Sequence, residues 1–365
     1  MKRSITGCAA IVLLMACSDA PAPVETAQTT MTTDEPISYP QEVHLSNIRQ
    51  LTYGGNNAEA YWSFGGDKLI FQSDNSRWGM NCDQIFLLDL SGAADSTKRQ
   101  MLSTGKGRTT CSYFMPGDST ILYASTHLAM DSCPPVPEPG QGRYIWPLYP
   151  SYDIFESDMK GDIIQQLVNS PRYDAEATIS PKGDKIIFTS LRSGDLELYS
   201  MNLDGSNVKQ LTNTPGYDGG ACFSPDGTKI VWRASRPKTE EELKTYRDLL
   251  DQDQVEPTSL EIFVADADGS NAHQVTHLGK ANWAPNFTPK GDRIIFASNH
   301  TSERGFPFNL YLINLDGTGL EQLTFDSEFD AFPMFSPNGK QLAFCSNRHN
   351  GRTRDTNVFI ADWKE

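Results

Sequence analysis

The sequence predicts an all-β fold, a six-bladed propeller of four-stranded antiparallel blades, and three observations predict it. A ten-residue phrase, "FSPDGTKIVW" at 223–232, returns as "ISPKGDKIIF" at 179–188, "FTPKGDRIIF" at 287–296 and "FSPNGKQLAF" at 335–344. The turn position of this phrase recurs at Phe64, Pro116, Pro181, Pro225, Pro289 and Pro337, with spacings of 52, 65, 44, 64 and 48 residues. A strand ending, "QLT" at 210–212 and 322–324 and "QVT" at 274–276, recurs in phase with it. One four-stranded sheet cannot bury both of its faces alone, whereas six arranged radially bury them against one another.

The third unit, residues 173–212, justifies the elements of a blade in order. "AEATIS" reads as the innermost strand, and "PKGD" as a tight turn in which Pro sets φ and Gly permits the reversal. "KIIFTS" and "LELYSMN" follow as the second and third strands, and "NVKQLT" as the fourth, with a two-residue hairpin signal before it. The hairpin glycine recurs at Gly92, Gly161, Gly205, Gly269 and Gly317. The last unit ends with "TNVFIADW", its third strand, and "NIRQLT" at 47–52 carries a fourth-strand ending ahead of the first unit. Residues 47–52 are therefore expected to pair with the last blade, close the ring and cover an otherwise open edge.

These repeats, of the form SPDGxxIxF…S…R…LYxMNxDGxxxxQLT, resemble those of TolB-type propellers, WD40-like repeat proteins of the bacterial envelope. The resemblance is close in units three to six and looser in the first two. It implies the propeller over residues 46–365, without the extra N-terminal α/β domain that TolB carries. Prolyl-oligopeptidase-type enzymes have similar repeats, but the Gly-x-Ser-x-Gly elbow of their hydrolase domain is absent here.

The N-terminus reads as a targeting segment. "MKRSITGCAAIVLLMAC" has Lys2 and Arg3, a short apolar run and small residues before Cys17, the pattern of a signal peptide at 1–16. "LMAC" resembles a lipobox, which implies a lipid on Cys17 and a membrane-anchored protein of the bacterial envelope, at the outer membrane and facing the periplasm. Residues 17–45, rich in Thr, Pro and acidic side chains, are expected to be a flexible tether. The chain of 365 residues carries a net charge of −15, which speaks against nucleic acid as a partner. Export makes a disulfide expected between two of Cys82, Cys111 and Cys133. Cys222 and Cys345 fall in repeat strands and read as small buried apolar residues.

Function is sought in the loops at one end of the ring. Two insertions stand out there. Residues 128–152 are Pro-rich, with Tyr144, Trp146, Tyr149 and Tyr152, either as an aromatic wall beside the pore or as packing for the loop. Residues 237–258 contain "TEEELKTYRDLL", a short amphipathic helix with a Thr239/Glu242 capping box and an apolar face of Leu243, Tyr246, Leu249 and Leu250. It reads as a lid, a docking element or simple decoration.

Aligned positions give two rings. Asn57, Thr109, Asp174, Asp218, Asn282 and Asp330 open the inner strands, with Glu59 and Glu176 two residues on. Asn75, His127, Arg192, Arg236, His300 and Arg348 follow the second strands, with Arg304, His349, Arg352 and Arg354 nearby. The candidate ligand-binding residues are His127, Arg192, Arg236, His300, Arg348, Asp174, Glu176, Asp218, Asp330, Tyr144 and Trp146. Arginine forks and imidazoles in such a set suit an anionic group. Alternatively, each arginine pairs with an aspartate of a neighbouring repeat and ties the rim together.

No H-x-x-H or C-x-x-C pair exists, and no metal or other cofactor is expected. Similar repeats occur in oligogalacturonate lyases, which hold a metal on propeller histidines; that motif does not map onto this sequence. The expected function is binding, by a monomer, of a protein, peptide or glycan at the mouth. The alternatives are an enzyme acting on an acidic saccharide and a non-catalytic assembly scaffold.

Overall fold

The computed structural model describes residues 36–91, 99–137, 143–351 and 353–365. The signal segment, Cys17, Gly92 and Arg352 lie outside the described residues. The predicted ring is observed. Blade one is built from Asn57–Trp62, Lys68–Ser73, Gln84–Asp89 and Gln100–Met101, hydrogen-bonded in that order from the axis outward. Blade two follows with Thr109–Phe114, Thr120–Ser125, Asp153–Asp158 and Ile163–Gln166, and blade three with Asp174–Ile179, Ile186–Ser190, Glu197–Met201 and Lys209–Gln210. Blade four is Asp218–Phe223, Lys229–Ala234, Glu261–Asp266 and His273–Gln274. Blade five is Asn282–Phe287, Arg293–Ser298, Asn309–Asn314 and Glu321–Gln322.

Blade six takes three strands from the C-terminus, Asp330–Phe335, Gln341–Ser346 and Asn357–Trp363, and its fourth, Leu45–Gln50, from the N-terminus. The closing strand begins two residues earlier than expected and pairs antiparallel, with Leu45 opposite Trp363 and Gln50 opposite Phe359.

The Q-x-T ending has a physical role. Past the end of the short outer strand in blades three, four and five, the Thr hydroxyl accepts the N–H of strand three: Leu198 to Thr212 at 2.8 Å, Ile262 to Thr276 at 2.8 Å and Leu310 to Thr324 at 2.9 Å. The Gln amide two residues earlier donates to the carbonyl of that same Thr. Thr52 and Gln50 do the same for Val358 and the Thr52 carbonyl, so the closing strand uses the same lock as an internal one. Hairpin glycines answer a different need. Gly205 and Gly269 have φ near +80° and +88°, and a Cβ there would meet the carbonyl oxygens of Leu167 and Leu211 in the preceding blade at 2.4 and 2.5 Å.

Apolar side chains fill the gaps between blades. Trp62, Phe71 and Leu69 of blade one meet Ala343, Val358 and Ile360 of blade six; Leu122 and Ile154 of blade two meet Phe188 of blade three. Burying each such large side chain stabilises the fold by roughly 1.5–3 kcal/mol.

Two expectations are refined. The last residues of the predicted tether, 36–44, pack against the propeller: Tyr39 donates to Asp326 at 2.7 Å, His44 contacts Glu321 at 2.8 Å, and buried Glu42 accepts both terminal nitrogens of Arg348 at 3.1 and 2.9 Å. The cause is Arg348, whose side chain is fully buried and draws two carboxylates, Glu42 and Asp330. Cys82 pairs with Cys133, leaving Cys111, Cys222 and Cys345 as thiols; Cys345 is buried as expected, whereas Cys222 lines the axial channel.

Deleting residues 47–52 should lower the Tm by more than about 10 °C, because it strips blade six of its edge and its Thr52 lock; an unchanged melting curve refutes the closure. Replacing Cys82 and Cys133 by Ser should cost about 2–4 kcal/mol in denaturant unfolding, and reductant should produce the same loss in the parent protein alone.

Candidate functional site

A single irregularity in the inner strands builds the site. Each pairs with strand two through a shift in register, and the residue at the shift has a left-handed backbone: Glu59, Cys111, Glu176, Gly220, Ala284 and Phe332, with φ between 47° and 62°. A bulge of this kind bends the strand and re-aims one side chain. Here the bend occurs six times and re-aims five side chains, Gly220 having none, and all six residues line an axial channel of about 780 Å³.

One half of the channel is polar. Glu176 of blade three accepts the Gly220 N–H at 2.9 Å, the Thr189 hydroxyl at 2.7 Å and the Tyr217 hydroxyl at 3.0 Å. The Arg233 guanidinium of blade four closes on the same carboxylate and donates to the Tyr217 oxygen at 2.6 Å. Gly220 makes this possible, because a Cβ at that position would lie 1.8 Å from an Arg233 terminal nitrogen. A second pair, Arg108 with Asp83 at 2.5 Å, spans blades one and two, and burial pushes the Asp83 carboxyl up to about 6.

Glu59 is the third channel carboxyl. Among the described residues it has no ion-pair partner; the Tyr61 hydroxyl approaches it at 3.4 Å. It lines the channel and is half-buried there. Burial is the main cause that pushes its carboxyl up to about 7, with the nearby charge of Glu176 adding to the rise and the Cys111 thiol and Arg233 opposing it. The Cys111 thiol is held well above its ordinary range, first by burial and then by Glu59 and Glu176.

The other half is aromatic. Trp146 stands 5.3 Å from Trp283 between ring centroids, Trp283 4.4 Å from Phe308, Phe308 5.7 Å from Phe329, and Phe329 6.3 Å from Phe332. Tyr144, 54% exposed, and Phe306, 60% exposed, continue the wall to the rim.

The two insertions meet over this mouth. Trp146–Pro147 and Gln254–Val255 form a two-stranded sheet, with Val255 opposite Trp146. Arg143 pairs with Glu256, Arg172 with Asp253 at 3.0 Å, and the Trp283 indole donates to the Pro257 carbonyl at 2.9 Å. The helix Glu240–Leu250 has its capping box and buries Tyr246, Leu249 and Leu250; the Tyr246 hydroxyl donates to Asp195. The joint result is a canopy reaching from blade two to blade four.

Of the expected ligand-binding residues, Glu176, Tyr144 and Trp146 line the channel, and so does Arg304, at the exposed rim. The others are turned into their own blades. Asp174 pairs with Arg192 at 2.8 Å, Asp218 with Arg236 at 2.7 Å and Asp330 with Arg348 at 2.8 Å. The partner is in the same blade, not in a neighbouring one, because strand pairing sets the inner-strand Asp directly opposite the end of strand two. His127 and His300 occupy the equivalent place: each ring nitrogen bonds the Ser two residues before, at 2.9 and 3.0 Å, and each ring packs on its own blade's Phe155 or Tyr311. Burial lowers both imidazoles from their ordinary range. Among the described residues no group of three or more His, Cys, Asp or Glu is gathered closely enough to hold a metal ion.

Sequence reasoning passed over Arg233, Tyr217, Asp83, Arg108, Cys111, Trp283 and the phenylalanines. For Cys111 and Phe332 the available signal was the third inner-strand position, which varies from blade to blade; the others carry no periodic signal.

Replacing Glu59 by Gln isolates its titration. With its folded value near 7 against an ordinary 4.5, the native state binds the extra proton between these pH values, so stability falls as pH rises through that window. Glu59→Gln should therefore leave Tm unchanged at pH 4 and raise it by a few degrees at pH 8, relative to the parent at each pH. Equal shifts at both pH values would show that Glu59 titrates in the folded chain as it does in the unfolded one.

No protein-family model and no curated protein matches the sequence. Among solved structures, the chain is similar to a TolB-like protein from Agrobacterium tumefaciens, with 18% identity and a TM-score of 0.55 over 85% of this chain and 91% of that one. It is similar to TolB from Acinetobacter baumannii at 16% identity and a TM-score of 0.50, over 85% of this chain and 64% of that one. An oligogalacturonate lyase in complex with manganese follows at 16% identity and a TM-score of 0.47, over 87% of this chain and 93% of that one. At these identities the likeness bears on fold, and the chain folds as a TolB-like six-bladed propeller.

Proposed function

We propose that the protein is a binding module of the bacterial envelope, anchored by lipid at Cys17, which receives part of a peptide or glycan chain at the canopied mouth of its propeller. The observation that carries this reading is the aromatic wall facing a polar wall across one axial channel. Rings such as Trp283 and Phe308 offer flat apolar area at little entropic cost, and hydrogen-bonding groups opposite them supply orientation. The propeller fold suits such a role without dictating it.

The disulfide supports an exported protein, since such bonds persist in oxidising compartments. The alternative, an enzyme on an acidic saccharide, has less support. Two of the three channel arginines, Arg108 and Arg233, are already matched by carboxylates, and His127 and His300 do not line the channel.

Thermal-shift screening of the purified chain against oligosaccharides and short peptides tests the reading. A ligand at 100 times its Kd should stabilise the fold by about 2.7 kcal/mol. Phe306→Ala, at the exposed rim, should weaken binding by roughly threefold to tenfold, and His300→Ala should not change it. A flat response to the whole panel overturns the proposal.

A further inference from the structure

The channel holds a carboxyl group without a counter-charge, and its surroundings indicate what could supply one. Asp83 and Glu176 each have an arginine; Glu59, at the same level as Glu176 in the ring of bulge residues, has none among the described residues. Its neighbours are the Tyr61 hydroxyl and the Cys111 thiol, and the next charges are Glu176, Arg233 and Asp83. The same channel is lined by the stacked rings of Trp283 and Phe308 and by Trp146, over whose ring the Arg233 guanidinium already sits at 5.3 Å; aromatic rings of this kind tolerate a cation through their quadrupole. The chain as a whole carries −15, a field that draws cationic ligands and repels anionic ones.

We propose that the channel binds a basic peptide, with the cationic end of a lysine or arginine side chain seated at Glu59 and its methylene stem lying along the aromatic wall. This rests on the reading of the channel as a binding site and adds the chemistry of its occupant. A long alkyl stem with a charged tip matches an apolar path that ends at a carboxylate. An amino sugar could meet the carboxylate, but its charge sits directly on the ring with no stem to cross the aromatic wall. The raised proton affinity of Glu59 agrees with a site whose counter-charge arrives with the ligand: binding a cation should expel the proton.

The test is calorimetric titration of the full chain at pH 7.5 with acetyl-Leu-Lys-Leu-amide, its norleucine counterpart and a glucosamine trimer. The lysine peptide is expected to bind at least tenfold more tightly than the norleucine peptide. Glu59→Gln should reduce that preference to within twofold. In the parent protein near pH 6.5, titration in two buffers of different ionisation enthalpy should show proton release with the lysine peptide alone, a readout that does not depend on the variant folding. Equal affinity for both peptides overturns the cation assignment and leaves the binding-module reading intact. Glu59-dependent binding of the glucosamine trimer without the lysine peptide overturns the peptide. Binding of none of the three overturns the cation assignment, and the broader reading is then judged by the separate screen.

Discussion

The left-handed residue in each inner strand is the constraint on which the functional half of this molecule depends. Innermost strands run closest together, around the axial channel. Bulging each strand at its third position turns that residue toward the channel, where neighbours such as Tyr61, Thr178 and Cys222 join it in the wall. Non-glycine residues adopt such a backbone at a cost of order 1 kcal/mol or more, and five of the six positions here bear it. The strain belongs to the frame, since Ala284 and Phe332 share it with Glu59 and Glu176. What differs between blades is the group placed there, Glu59 and Glu176 on the polar side and Ala284 and Phe332 on the apolar side, where the canopy and strand-end residues complete each wall.

This separation explains what could be read from the sequence. The frame was legible because blades three to six solve the same problem with nearly the same residues. The Pro/Gly turn reverses the inner hairpin, the hairpin glycine clears a neighbouring carbonyl, and Q-x-T finishes the outer strand. The closing role of the N-terminal strand was legible for the same reason. The ring of Asp and Arg also recurs, and its recurrence is the mark of a blade-internal tie: Asp174–Arg192 and Asp218–Arg236 are copies of one contact. His127 and His300 differ chemically from arginine, which drew attention to them, yet each uses the same Ser and an aromatic ring of its own blade. Breaking one of the buried pairs by removing a partner would cost about 3–5 kcal/mol, so these residues answer to the fold.

The channel was less legible because its residues are related by rotation about the axis and not by sequence. Glu176 and Arg233 lie 57 positions apart, and only the missing side chain of Gly220 lets them meet. Trp146 and Trp283 were separated by two blades of sequence and are brought together by the canopy. Each insertion alone reads as a loop or a decorating helix. Their pairing through Trp146–Pro147 and Gln254–Val255 is a long-range event with no periodic signal to announce it.

The strap formed by residues 36–44 has a mechanical consequence. Its firmest hold is the Glu42 carboxylate on the fully buried Arg348, outside the pairing of Leu45–Gln50 with Asn357–Trp363. Tension on the chain ahead of residue 36 therefore reaches the Tyr39 and Glu42 contacts before it reaches the closing strand. The ion pair works as a strain relief, of the kind that keeps a pull on a cable from reaching its joint. A ring whose last seam is made by its own leading segment can in this way carry a load along that segment without being peeled open at the seam.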